Sequence, residues 1–205
     1  MTKTILAIAG AMLAASSASA ADFSFTGTLA RDNGKALFSF TVTTPSTVTL
    51  RSLGYAGGTN AAGNAIARGG FDSALSLYGS DGVAIDFNDD GLDSTPDSVT
   101  GAQGDSVLIT DLAAGTYSVY LTQYSNFGPM VIPGEFAFDN EPDFRGGFID
   151  FYGDQRTGAY AFDILGVDTA VAVPEPATWA MMILGVAVAG GSLRVRRRNM
   201  AVRFA

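Results

Sequence analysis

Between Phe23 and Val167 the chain repeats one theme: five to eight residues in which apolar and polar side chains alternate, closed by a turn. A period of two belongs to a strand with one buried face, because successive side chains point to opposite sides of the pleat. The alternation predicts strands at Phe23–Leu29, Leu37–Val42, Thr47–Leu53, Ala74–Tyr78, Val83–Phe87, Val107–Leu112, Thr116–Thr122, Phe148–Tyr152 and Tyr160–Val167. Val83, Ile85 and Phe87 face one way in their strand, and Tyr117, Val119 and Leu121 form the inward set of theirs. Asp32-Asn33-Gly34, Asp81-Gly82 and Gly115 punctuate the runs, since Gly and Asn accept the positive φ of tight turns. No window from Ala21 to Val173 repeats apolar residues at 3.6. Many short strands at spacings of about ten residues predict an all-β fold, a jelly-roll-like β-sandwich or an open barrel. Gly54 to Gly70 reads as a long mobile loop, and Pro129 to Gly147 as an irregular insertion.

Two apolar runs break the theme. The first carries Lys3, the run Thr4 to Ala15, and the small residues Ala18-Ser19-Ala20. That is the layout of a secretory signal peptide cut after Ala20; a core helix is the competing reading, and the cleavage signature speaks against it. The second, Ala177 to Leu193, is 17 residues long, free of charge, and followed by Arg194, Arg196, Arg197 and Arg198. As a helix it reaches roughly 26 Å, slightly short of a bilayer core of about 30 Å, a gap that snorkelling arginines absorb. A buried helix would leave four arginines to find water. Arginines stay on the cytoplasmic side, which puts everything before Pro174 outside. The expected division is a signal peptide at 1–20, a β-sandwich ectodomain at 21–173, and a tail at 174–205 with a transmembrane helix at 177–193 and a basic end at 194–205.

Charge and composition narrow the chemistry. Residues 21–173 hold six Lys/Arg against 19 Asp/Glu, a formal charge near −13, more extreme than the −8 of the whole chain. Nucleic acid and anionic membrane surfaces are poor partners for such a domain, and divalent cations are good ones. There is no cysteine and no histidine. This removes disulfides, Ser–His and Cys–His nucleophile systems, and zinc sites built on nitrogen or sulfur.

The carboxylates cluster in Asp86-Phe87-Asn88-Asp89-Asp90-Gly91-Leu92-Asp93-Ser94-Thr95-Pro96-Asp97. Asp86, Asn88 and Asp90 at alternate positions, Gly91 sixth and Asp97 twelfth follow the calcium-loop spacing D-x-[DN]-x-[DN]-G-x₅-E, with Asp where that pattern has Glu. Asp93 adds a further carboxylate. The flanks read as strands rather than the helices of an EF-hand. Two readings fit: a calcium loop, and a solvated acidic hairpin in which Asn, Asp and Gly serve the turn. Paired acids can hydrolyse a glycosidic bond, but a short loop offers no cleft to raise one pKa. Of the aromatic residues Tyr117, Tyr120, Tyr124, Phe127, Phe148, Phe151 and Tyr152, alternation turns about half inward. Tyr124 and Phe127, in the loop after a strand, are candidates for glycan contact.

Val173-Pro174-Glu175-Pro176-Ala177-Thr178-Trp179-Ala180-Met181-Met182-Ile183-Leu184-Gly185, with the apolar run and arginines behind it, closely resembles the PEP-CTERM sorting signal, and more narrowly its PEPxxWAMM variant. Asn199 to Ala205 extend past the usual ending. The two prolines stop a helix from growing upstream and hold the junction extended. The resemblance implies processing near Pro174-Glu175-Pro176 by an exosortase-type transpeptidase, with Trp179 part of the signal. It also implies transient anchoring in the inner membrane, and a bacterial host whose exopolysaccharide forms the biofilm matrix or cell surface the protein reaches. Phe71 to Phe127 is similar to the bacterial pre-peptidase C-terminal domain through Phe71-Asp72, Asn88-Asp89-Asp90-Gly91, Asp105-Ser106 and Ala114-Gly115-Thr116-Tyr117. That resemblance implies a small β-sandwich, of a kind in which some members bind calcium and some bind matrix polymers. The combined expectation is an exported, non-catalytic structural or interaction protein, with calcium as a candidate stabilising ion; the alternative is a calcium-dependent carbohydrate-binding module for exopolysaccharide.

Overall fold

Eleven strands and no helix form among the described residues, 21–91 and 94–174, of the computed structural model. The signal-peptide segment, Asp93, Glu175, Pro176, Trp179, the apolar run and its arginines lie outside the described residues. One sheet runs β1 (Ala21–Thr28), β10 (Ala159–Val167), β3 (Ser46–Ser52), β8 (Val107–Leu112). The other runs β11 (Thr169–Val173), β2 (Lys35–Val42), β9 (Gly115–Gln123), β6 (Ser73–Tyr78), β7 (Ala84–Asn88). Between β3 and β6 a two-stranded ribbon pairs β4 (Gly58–Thr59) with β5 (Ala65–Ile66). Every ladder is antiparallel. With β11 set aside, the two four-stranded sheets, ordered 1-10-3-8 and 2-9-6-7, have the strand order of a jelly roll.

Alternation builds the core as expected. Ala36, Phe38, Phe40 and Val42 of β2 are buried while the residues between them are not, and Tyr117, Val119 and Leu121 of β9 do the same. They meet Val48, Leu50, Leu108, Phe162 and Ile164 of the opposite sheet. Phe38 sits between the sheets with its ring 5.0 Å from that of Phe25 and 4.8 Å from that of Phe162. Each such side chain stabilises the fold by about 1.5–3 kcal/mol.

β6 breaks the alternation, since all six of its residues are buried. Leu75 and Leu77 face the core, and the outer face is roofed by the insertion after β9. Tyr78 donates its hydroxyl to the Pro129 carbonyl at 2.8 Å, and the Gly128 N–H donates to Ser76 Oγ at 3.2 Å. Phe136 lies edge-on to Tyr120 at 5.0 Å. The fully buried carboxylate of Asp32 accepts backbone N–H groups from Asp143, Arg145 and Gly147 at 2.7, 2.8 and 3.2 Å, pinning the far end of the insertion.

Three expectations change, and one strand is added. Phe148–Tyr152 is not a strand: Phe148 has a φ of 72°, and a single bridge, Ile149 to Gln155, closes a turn. Gly54 to Gly70 is a hydrogen-bonded hairpin whose ends are closed by Gly70 N–H to Gly54 O at 2.8 Å. β11, which the alternation did not predict, pairs along β2 from Thr169 opposite Thr41 to Val173 opposite Leu37. Val83 and Ile85 are exposed, because β7 is an edge strand with a register shift opposite Leu77/Tyr78; only Phe87 of that set packs, edge-on to Tyr78.

Candidate functional site

At one end of the sandwich three buried carboxylates hold the connecting loops. Asp105 accepts the Tyr55 and Ala56 N–H groups at 3.0 and 2.8 Å and the Ser52 hydroxyl at 2.8 Å. Asp97 accepts Val99 and Thr100 N–H at 2.7 and 3.0 Å, a forked contact from Arg68, and Arg156 Nη1 at 3.1 Å. Burial alone would raise the Asp97 carboxyl, but Arg68, the two N–H groups and Arg156 overcome it and hold the group well below the usual carboxylate range. Asp150 takes Tyr55 Oη and Arg156 Nε on one oxygen, both at 2.9 Å, and the Tyr152 and Asp154 N–H groups on the other at 3.0 and 2.8 Å. These bonds close a tight turn, which is why Phe151 and Tyr152 stand at its tip, each 67% exposed, with rings edge to face at 5.6 Å.

Those loops enclose a cavity of about 190 Å³. Its walls are the rings of Tyr55, Tyr124, Phe151 and Tyr152, and its polar lining is Asp72, Asp90 and Gln103, with Gly104 completing the ring. Gly104 is glycine for a steric reason: a Cβ there would lie 2.7 Å from Cδ2 of Tyr55. Behind the wall, the Arg156 guanidinium stacks 3.9 Å from the centre of the Tyr55 ring.

Asp72, just ahead of β6, is the unusual member. Its side chain is only 8% exposed, and Oδ1 is buried with no hydrogen-bond partner. Burial pushes its carboxyl up to about 7; the negative charges of Asp90, Asp150 and Asp89 push the same way, and Arg145 opposes them. Burial, then Asp89, raises Asp90 as well. Buried polar atoms nearly always find a partner, so an orphaned carboxylate oxygen beside a second carboxylate is an acceptor waiting for a donor.

Of the residues singled out for calcium, four lie among the described residues and Asp93 does not. Asp90 lines the cavity. Asp86 is exposed and accepts the N–H of its own neighbour Phe87 at 2.8 Å. Asn88 Oδ1 is buried without a partner, and Asp97 is engaged by two arginines. Among the described residues no group of three or more acidic side chains is placed to hold a metal ion. Tyr124 is in the cavity wall; Phe127 is not, but braces Tyr124 edge to face at 5.8 Å. Asp72, whose carboxyl is raised, lies outside the Asp86–Asp97 loop and was not among the acidic residues singled out from the sequence for calcium. Sequence reasoning also passed over Phe151 and Tyr152 as members of the wall, although adjacent aromatics between Asp150 and Gly153 cannot both face inward from one strand.

Comparison with known proteins adds one finding. Residues 172–198 match the family described as the PEP-CTERM protein-sorting motif. The motif supports an exported protein that is anchored transiently in the membrane and processed by an exosortase. Its first two residues, Ala172 and Val173, are still paired in β11, so the motif starts on the sheet itself with no linker. No curated protein matches the chain. Among the described residues no helix is long and apolar enough to cross a membrane, and the span expected at 177–193 lies outside them.

Proposed function

We propose that the chain is a non-catalytic interaction protein of the cell surface or its exopolysaccharide matrix, and that its sandwich binds carbohydrate in the Asp72 cavity. The observation that carries this is a nine-tenths buried carboxylate with an unpaired oxygen, set in a hollow edged by Tyr124, Phe151 and Tyr152. A sugar ring offers C–H faces to aromatic rings and hydroxyl donors to a carboxylate, and this hollow supplies both partners. Small-ligand sites have this make-up, an apolar wall with a few convergent polar groups. The cavity is smaller than the 300 Å³ or more of a drug-sized site, which suits one residue of a polymer rather than a long groove.

The test is calorimetric titration of the protein with oligosaccharides cut from bacterial exopolysaccharides. Replacing Phe151 and Tyr152 together by Ala should weaken binding at least tenfold, about 1.4 kcal/mol. Both rings are largely exposed, so the melting temperature should hold. A double variant that binds like the wild type would remove the cavity from the account. Asp72-dependent loss of polymer viscosity would make the protein a hydrolase instead, because a carboxyl near 7 beside a second carboxylate is also the pairing glycosidases use.

A further inference from the structure

Resting on that carbohydrate reading, we infer that the sugar residue seated in the cavity carries a free ammonium group, which the Asp72 and Asp90 carboxylates receive between them. Three observations lead there. The first is charge: Asp72 and the exposed Asp90 line one cavity and repel each other, and Asp150 and Asp89 add to the negative potential. Arg145 offsets part of this, but it lies over the Tyr124 ring, 5.2 Å from its centre, and leaves Asp72 Oδ1 without a partner. A neutral hydroxyl would fill the vacant acceptor and leave the repulsion standing. A protonated amine fills the acceptor and cancels the repulsion in one step, through N–H donors to both carboxylates.

The second observation is the lining. Four of the cavity's eight lining residues are aromatic, and ring faces attract an organic cation. A hard divalent ion wants six to eight oxygens, and no set of three acidic side chains converges among the described residues. The third is size: about 190 Å³ is several times the ≈ 30 Å³ that one water occupies, too roomy for a bare ion and sufficient for an amine with the ring that bears it. The surrounding domain agrees, since residues 21–173 carry a formal charge near −13 and draw cationic polymers toward the site.

The experiment compares a β-1,4-linked glucosamine tetramer with its fully N-acetylated counterpart and with the glucose tetramer, by calorimetry at pH 7. Tetralysine and calcium chloride serve as separate probes. Acetylation removes the charge and keeps the ring, so the amine form should bind at least tenfold tighter than either neutral form. Asp72→Asn should abolish that preference, bringing the amine form down to the affinity of the neutral forms for the same variant. Equal affinity for all three tetramers overturns the ammonium inference and leaves carbohydrate binding intact. No binding of any tetramer overturns both, and binding of tetralysine alone makes the partner a protein. Calcium that raises the melting temperature of the wild type but not of Asp72→Asn turns the site into a metal site and overturns the inference.

Discussion

Replacing Asp72 by Asn should make the protein more stable, and only above acidic pH. The folded state holds the Asp72 carboxyl at about 7, against 3.8 for the free group. Between these values the folded protein keeps a proton that the unfolded chain has released. Stability therefore falls as pH rises through that window, and is lowest, as far as this group is concerned, above 7. Three pKa units at 1.36 kcal/mol each set the cost at about 4 kcal/mol when the group is fully ionised. Asn has nearly the same shape and no charge, so it removes this cost at pH 8 and changes little at pH 4, where Asp72 is already neutral. With a urea m-value near 2 kcal/mol/M, the unfolding midpoint of Asp72→Asn should lie about 2 M above wild type at pH 8 and coincide with it at pH 4. Urea denaturation followed by tyrosine fluorescence and circular dichroism at pH 4, 5.5, 7 and 8 reads this directly. A midpoint difference independent of pH would show that Asp72 is not a strained carboxylate, and the case for an acceptor awaiting a cation would lose its energetic basis. A group that destabilises its own fold is what a binding site is expected to retain, since selection keeps such costs where function needs them.

Two further outcomes follow from neighbouring groups. Asp97→Asn should cost about 3–5 kcal/mol in urea unfolding at pH 7, because it strips the buried Arg156 of one of its two buried carboxylate partners. The pH dependence has the opposite sense to that of Asp72: its stabilisation is complete above the free-acid value of 3.8 and disappears as pH falls through the much lower folded value, so wild type and variant should converge in acid. Replacing Pro174, Glu175 and Pro176 by Ala should leave an uncleaved, membrane-bound form of higher mass on immunoblots of fractionated cells; release at the wild-type size would reduce the 172–198 motif to a plain anchor.

The strands were legible because alternation is a local property. Phe38, Phe40, Val119 and Leu121 announce their buried face from their neighbours alone, and two such faces can only be satisfied by each other. The places where the reading failed have a common cause. Phe148–Tyr152 has strand-like composition, but Asp150 makes more bonds as the hub of a turn than a ladder would supply, with partners drawn from Tyr55 and Arg156 as well as from its own loop. Val83 and Ile85 alternate correctly, yet Ile85 lies in the edge strand β7 and Val83 just ahead of it, and both stay exposed.

What the chain alone determined is the all-β class, the facing of the core strands and the sorting motif, since each is written in adjacent residues. Only the tertiary structure could decide the site. Its carboxylates come from Asp72 and Asp90, its rings from Tyr55, Tyr124, Phe151 and Tyr152, and these lie on loops far apart in sequence. The regular spacing from Asp86 to Asp97 left a calcium loop and a solvated hairpin both open, because spacing constrains only neighbours along the chain. Asp97 is engaged by Arg68 and Arg156, which pack against it across 29 and 59 residues of sequence. A buried charge pairs with the nearest strong partner in space, and space is settled by how the two sheets close on each other.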